Sequence, residues 1–219
     1  MPVQVKICGL STPETVQAAI DGGADLIGFV FFPKSPRNIT PDRAAQLAAP
    51  ARAKGVKAGG VKVAAVTVDA SDALIDAIAA TLRPDLIQLH GHESPERAAE
   101  VRARSGAGVV RALRVSQAAD LDQASAFEGV VDYLMFDAKA PAGAALPGGN
   151  GAAFDWTLLA GRRFARPWFL AGGLNPGNVT EALRITGAPM VDVSSGVEAA
   201  PGVKDPALIK AFLEAVRRA

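Results

Sequence analysis

Apolar residues along this chain gather into eight short runs: VQVKIC (3–8), LIGFVFF (26–32), VKVAAVTV (61–68), DLIQLH (85–90), GVVRALRV (108–115), VDYLMFD (131–137), PWFLAG (167–172) and MVDVSS (190–195). Runs of this length read as buried strands. Between them lie amphipathic stretches that open on helix-start signals. Thr12-Pro13-Glu14 begins a helix predicted to reach Asp21, and Thr40-Pro41-Asp42 begins one over 40–54. Ser71–Leu82, Ser94–Ser105 and Ser116–Phe127 each open on serine. Asn175-Pro176 opens a further helix, and Asp205-Pro206 opens the last, which runs to Arg218. Only the stretch between the sixth and seventh runs is helix-poor. There PAGAALPGGNGAAFDW (141–156) reads as a long loop followed by a short helix.

Strand and helix thus alternate eight times, which implies parallel strands joined by crossover helices. An open doubly wound sheet usually stops at about five or six strands. Eight units in 219 residues instead fit an α/β fold of the (β/α)8 barrel type, whose lower size limit is about 200 residues. No stretch reads as a linker, so residues 1–219 are expected to form a single domain. In such a barrel the working residues sit at the C-terminal strand ends. Those ends offer Cys8, Arg37, Asp69, His90, Arg114, Asp137, Gly172 and Gly173, and Asp192 with Ser194, Ser195 and Gly196.

Composition narrows the classes of function. Apolar residues make up 49% of the chain but aromatic ones only 5%, so aliphatic side chains must fill the interior. With 23 basic and 22 acidic residues, there is no charge footprint for nucleic acid or an anionic membrane. The single cysteine excludes an internal disulfide framework. MPVQVKICG has no signal-peptide pattern, and no run approaches the roughly 18 apolar residues of a membrane span. A cytoplasmic protein is the expectation.

Several strand ends carry candidate chemistry. AGGLNPGNV (171–179) and VSSGVE (193–198) put glycines and helix starts after the last two strands, where many barrels hold a phosphate. Cys8 reads equally as a small core residue or as a general base. Lys6, two residues back on the same strand face, would favour its thiolate. Asp137 closes an apolar run, as either a general acid or a carboxylate paired with Lys139. Arg37, in the loop FFPKSPRNI (31–39) that two prolines stiffen, suits a carboxylate partner, or is simply solvated. His90 either contacts substrate or bonds to backbone at the rim. With His92 it makes no credible metal site.

Taken in order, VKICGL (5–10), GADLIGFVFFPKSPRNI (23–39), DLIQLHGHE (85–93), FDAKAP (136–141), GGNGAAFDW (148–156), AGGLNPGNV (171–179), VDVSSGVE (191–198) and PGVKD (201–205) resemble the phosphoribosylanthranilate isomerase family of tryptophan biosynthesis. The resemblance implies an Amadori rearrangement of a phosphorylated small-molecule substrate, with no cofactor and no metal. It implies Cys8 as the base, Asp137 as the acid and Arg37 as the holder of the anthranilate carboxylate. It also implies phosphate binding by Gly172, Gly173, Ser195 and Gly196, with Asp192 near the substrate's amino group. Lys6 and His90 are expected beside the substrate. Two alternatives are a histidine-pathway aminosugar isomerase, which has an aspartate in place of Cys8, and a barrel that binds a phosphorylated ligand without catalysis. The chain is expected to act as a monomer or homodimer. Thr67 and Asp69 depart from the VGVFVNAS expected of the family's third strand. The sixth loop (138–154) is read as a lid.

Overall fold

The structure, a computed structural model, describes residues 2–53, 60–139, 148–149 and 153–219. Each apolar run forms a strand: β1 (Gln4–Cys8), β2 (Leu26–Phe31), β3 (Lys62–Thr67), β4 (Leu86–Leu89), β5 (Gly108–Val115), β6 (Tyr133–Ala138), β7 (Trp168–Leu170) and β8 (Met190–Val193). All pair in parallel with their sequence neighbours, and β8 returns to β1 with Lys6 opposite Asp192. The sheet is therefore closed, and its strand C-terminal ends form one rim.

Side-chain alternation divides the interior into two layers. Outward positions such as Ile7, Ile27, Val63, Ile87 and Phe136 pack against the helices. Inward positions Leu26, Leu86, Val110, Met135, Phe169 and Met190 plug the bottom of the barrel. Above that plug the inward positions become polar: Lys6, Gln88, His90, Asp137 and Asp192 are all buried.

Helices start where the caps predict. Helices α1 (Pro13–Asp21), α2 (Pro41–Ala48), α3 (Asp72–Thr81) and α4 (Pro95–Ser105) have Thr12, Thr40, Ser71 and Ser94 side chains accepting from their first turns. The second is shorter than expected, ending at Ala48 before a 3-10 turn over Pro50–Arg52. The 116–127 segment is not one helix but a 3-10 stretch, Ala118–Gln123, followed by one turn, α5 (Ala124–Phe127). Asp120 explains the difference: its carboxylate accepts from both the Ser116 and Gln117 N–H groups and holds the start in a tight turn.

A 3-10 turn over Trp156–Leu159 is the short helix expected before the seventh run. The sixth helix, α6 (Val179–Thr186), starts later than Asn175-Pro176. Asn178 accepts from the Asn175 N–H and donates to the Gly173 carbonyl, so this stretch is a side-chain-tied turn leading into the helix. The last helix, α7 (Pro206–Arg217), is capped by Asp205. Unforeseen was a small antiparallel pair, β9 (Glu198–Ala200) with β10 (Val203–Lys204), standing beside the rim. Among the described residues, no helix is long and apolar enough to cross a membrane.

Candidate active site

Lys6 is the deepest charge in the barrel. Its ammonium donates to Asp192 Oδ1 at 2.7 Å and to Gln88 Oε1 at 2.9 Å. Burial alone would lower its pKa, but Asp192, and after it Cys8, outweigh that and hold the ammonium firmly charged. Cys8 lies two residues up on the same strand face. A Cβ on Gly28 of the neighbouring strand would come 3.1 Å from its Sγ and 3.2 Å from Lys6 Cε. A glycine there makes room for both side chains. Burial pushes the Cys8 thiol above its ordinary value, and the pull of Lys6 does not overcome it. The expectation that Lys6 favours the thiolate therefore holds in direction but not in outcome, because burial outweighs the ammonium's pull and the Asp192 carboxylate adds to the effect of burial.

Asp137 ends β6 on the opposite wall. Its Oδ1 accepts from the Ala138 N–H, and its Oδ2 lies 3.1 Å from His90 Nε2. It faces His90, whereas Lys139 is exposed. The two atoms are close without hydrogen-bond alignment, which leaves His90 Nε2 buried and unpartnered. Gly148 covers the pair so closely that a Cβ there would be 2.5 Å from Nε2. The rest of the loop read as a lid, residues 140–147 and 150–152, lies outside the described residues.

Arg37 is buried at the rim and already has a carboxylate partner. Its Nε and Nη2 donate to the two oxygens of Glu198 at 2.7 and 2.8 Å. Glu198 also accepts from Lys204, which in turn donates to the Ser194 carbonyl at 3.0 Å. Burial raises the Glu198 pKa, but these two cations bring it below the ordinary carboxylate value. Burial lowers that of Lys204. Glu198 takes the side edge of the guanidinium, Nη2 also donates to the Gly149 carbonyl at 3.3 Å, and Arg37 lines the pocket.

These groups surround one open cavity of about 830 Å³, counting solvent at its mouth. Cys8, Gln88, His90, Asp137 and Asp192 form its floor, and Gly172, Gly173, Ser194 and Ser195 form one side. Val30, Phe32 and Val66 form an apolar wall beside Cys8. Both Gly172 (φ +84°) and Gly173 (φ +66°) adopt left-handed conformations. Two expected residues are not in the lining. Lys6 lies beneath the floor, and Gly196 serves packing, since a Cβ there would strike the Leu174 carbonyl. Asp69 and Arg114 also stay outside, bound to His92. Glu198, Lys204 and Gln88 escaped notice as site residues. Gln88 did carry a signal, a polar side chain at an inward position of an apolar run. Among the described residues, no group of three or more His, Cys, Asp or Glu side chains is placed to hold a metal ion.

A family model described as N-(5'phosphoribosyl)anthranilate (PRA) isomerase matches residues 5–215. The chain belongs to the phosphoribosylanthranilate isomerase family. A Caulobacter vibrioides N-(5'-phosphoribosyl)anthranilate isomerase is 63% identical over 214 residues, covering 98% of this chain and 95% of that protein. The phosphoribosyl anthranilate isomerase structure from Thermotoga maritima aligns with TM-score 0.85 and 34% identity, over 99% of this chain and 100% of that one. A further phosphoribosyl anthranilate isomerase, in complex with reduced 1-(o-carboxyphenylamino)-1-deoxyribulose 5-phosphate, aligns with TM-score 0.82 and 33% identity, over 99% of this chain and 100% of that one. Both departures from the phosphoribosylanthranilate isomerase pattern in β3 fall outside the cavity. Thr67 is wholly buried and points away from it, between the lining residues Val66 and Val68. Asp69 takes a left-handed φ of 46° and accepts from the His92 N–H.

Proposed function

We propose that residues 1–219 form one catalytic barrel that converts N-(5-phospho-β-D-ribosyl)anthranilate to 1-(2-carboxyphenylamino)-1-deoxy-D-ribulose 5-phosphate. The observation that carries this reading is that the Cys8 thiol and the Asp137 carboxyl line the same cavity, between a buried arginine and two glycine loops. Asp137 protonates the ribose ring oxygen, and the furanose opens to a Schiff base. Cys8, as thiolate, then removes the C2 proton, made acidic by the adjoining iminium, and the enolamine tautomerises to the ketone. The apolar wall of Val30, Phe32 and Val66 takes the aromatic ring, and the Nη1 side of Arg37 takes its carboxylate in place of the Gly149 carbonyl. Gly172, Gly173, Ser194 and Ser195 hold the phosphate, and Asp192 lies near the substrate's amino group.

This is a small-molecule enzyme of amino-acid synthesis, at work in the cytoplasm. One Thermotoga maritima relative is described as monomers generated from a dimeric enzyme. The cavity here is lined by a single chain, so monomer and homodimer are both compatible with activity. The test is a fluorescence assay in which phosphoribosylanthranilate is made in place from anthranilate and phosphoribosyl pyrophosphate. The protein should abolish the signal quickly and the Asp137→Asn variant should lag by about a hundredfold or more. Equal rates for the two would overturn the assignment of the acid.

A further inference from the structure

The deepest polar groups form a line from one wall to the other. Lys6 donates to Gln88 Oε1, Gln88 Nε2 lies 2.9 Å from His90 Nδ1, and His90 Nε2 lies 3.1 Å from Asp137 Oδ2. Gln88 and Lys6 are each 1% exposed, so no solvent competes for these contacts. The direction of the line follows from donor and acceptor inventories. An ammonium has only protons to give, so the oxygen of the Gln88 amide must face Lys6. Its NH2 group therefore faces His90. An NH2 group can only donate there, so Nδ1 must be the bare nitrogen of the ring. The ring proton is left on Nε2, 3.1 Å from Asp137 Oδ2. Protonating Nδ1 would set N–H against N–H, so the charged imidazolium is disfavoured as well.

We propose that Gln88 is a positioning residue for the acid, holding His90 as its neutral Nε2–H tautomer beside Asp137. The proposal rests on the reading of Asp137 as the acid. A cationic imidazole 3.1 Å away would hold Asp137 as carboxylate and leave it no proton to give. A neutral ring lets Asp137 keep its proton, then steadies the carboxylate by one hydrogen bond after the proton has left. The charged groups around His90 are Asp137 on β6, Arg114 on β5, which donates to the His90 carbonyl, and, one bond further, Lys6 on β1. Asp192 on β8 lies beyond Lys6.

The chain has two histidines, so nitrogen NMR on a His92→Gln background reports His90 alone. The expected spectrum has a bare Nδ1 and a protonated Nε2, the signature of one neutral tautomer. In Gln88→Glu the new carboxylate accepts from Nδ1–H. His90 should then carry its proton on Nδ1, and kcat should fall about tenfold or more while KM stays within about threefold. In Gln88→Met, which keeps the shape without the bonds, the two nitrogens should show a mixture of tautomers. A protonated Nδ1 in the parent, or an unchanged His90 in both variants, would overturn the lock. An unchanged kcat in Gln88→Glu beside a His90 protonated on Nδ1 would overturn its link to the acid. Full activity in Asp137→Asn would instead remove the acid itself, whatever the spectrum of His90.

Discussion

In the proposed reaction Cys8 and Arg37 each depend on a neighbour that is not itself a reactant. For Cys8 the neighbour is Lys6, whose charge is shared with Asp192. Burial wins, so the thiol stands above its ordinary value and the thiolate that acts as base is its minor form at neutral pH. Because the reactive form is the thiolate, alkylation of this sole cysteine by iodoacetamide should be slow near neutrality. It should speed up about tenfold per pH unit and go on rising beyond the ordinary thiol value of about 8.5. A rate already level at neutral pH would mean that Lys6 prevails. Cys8→Ser should fold normally and lose about a hundredfold or more in kcat, since a hydroxyl is a far weaker base. For Arg37 the neighbour is Glu198, which fixes the guanidinium by its side edge. Glu198→Gln keeps one acceptor but removes the charge. Substrate KM should rise several-fold while kcat changes little, the split expected when ground-state and transition-state binding weaken together. The neighbour of Arg37 was not legible in the sequence. Glu198 reads there as the end of a glycine loop, and only the meeting of the second and eighth loops gives it a partner 161 residues away.

At the scale of elements, one device recurs at the bottom of the barrel. Asp25, Asp85 and Asp132 each precede an even-numbered strand, and each accepts from a backbone N–H of the strand before it: Val5, Val63 and Val109, at 2.7 to 2.8 Å. Each returns its own N–H to the carbonyl of the same residue. The pairs close the lower end of the β1–β2, β3–β4 and β5–β6 ladders, where the last amide would otherwise face a buried edge. Asp85→Ala should cost about 1–3 kcal/mol by orphaning the Val63 N–H. It should leave kcat unchanged, because the bottom of a barrel carries stability rather than chemistry. Thermal unfolding beside a turnover assay decides this, and a large loss of kcat would contradict it. The strands and most helix starts could be read from short apolar runs and serine or threonine caps, which are local signals. The segment after β5 could not. Ser116 looked like a helix cap, but its hydroxyl donates to Asp120, four residues on, which also accepts from the Ser116 and Gln117 N–H groups and holds a tighter turn.

Closure of the whole barrel is what makes a site from these parts. Lys6 and Asp192 are 186 residues apart in sequence and meet only because β8 returns to β1. The eightfold alternation of runs and caps made that closure legible, and with it the rim on which the candidates stand. The proposed phosphate seat bridges the last two strands, with Gly173 after β7 and Ser195 after β8. An anion held there binds only when both loops are in place, so it must stabilise the folded state against the unfolded one. Inorganic phosphate should therefore raise the midpoint of thermal unfolding progressively with its concentration, beyond the effect of chloride at equal ionic strength. At about one hundred times its dissociation constant the gain is about 2.7 kcal/mol. Ser195→Asp places a fixed negative charge in the seat and should abolish the phosphate-specific shift while leaving the chloride response intact. If that variant kept the full shift, the phosphate would have to bind somewhere other than these two loops. The Amadori reading would then lose its anchor for the substrate's far end.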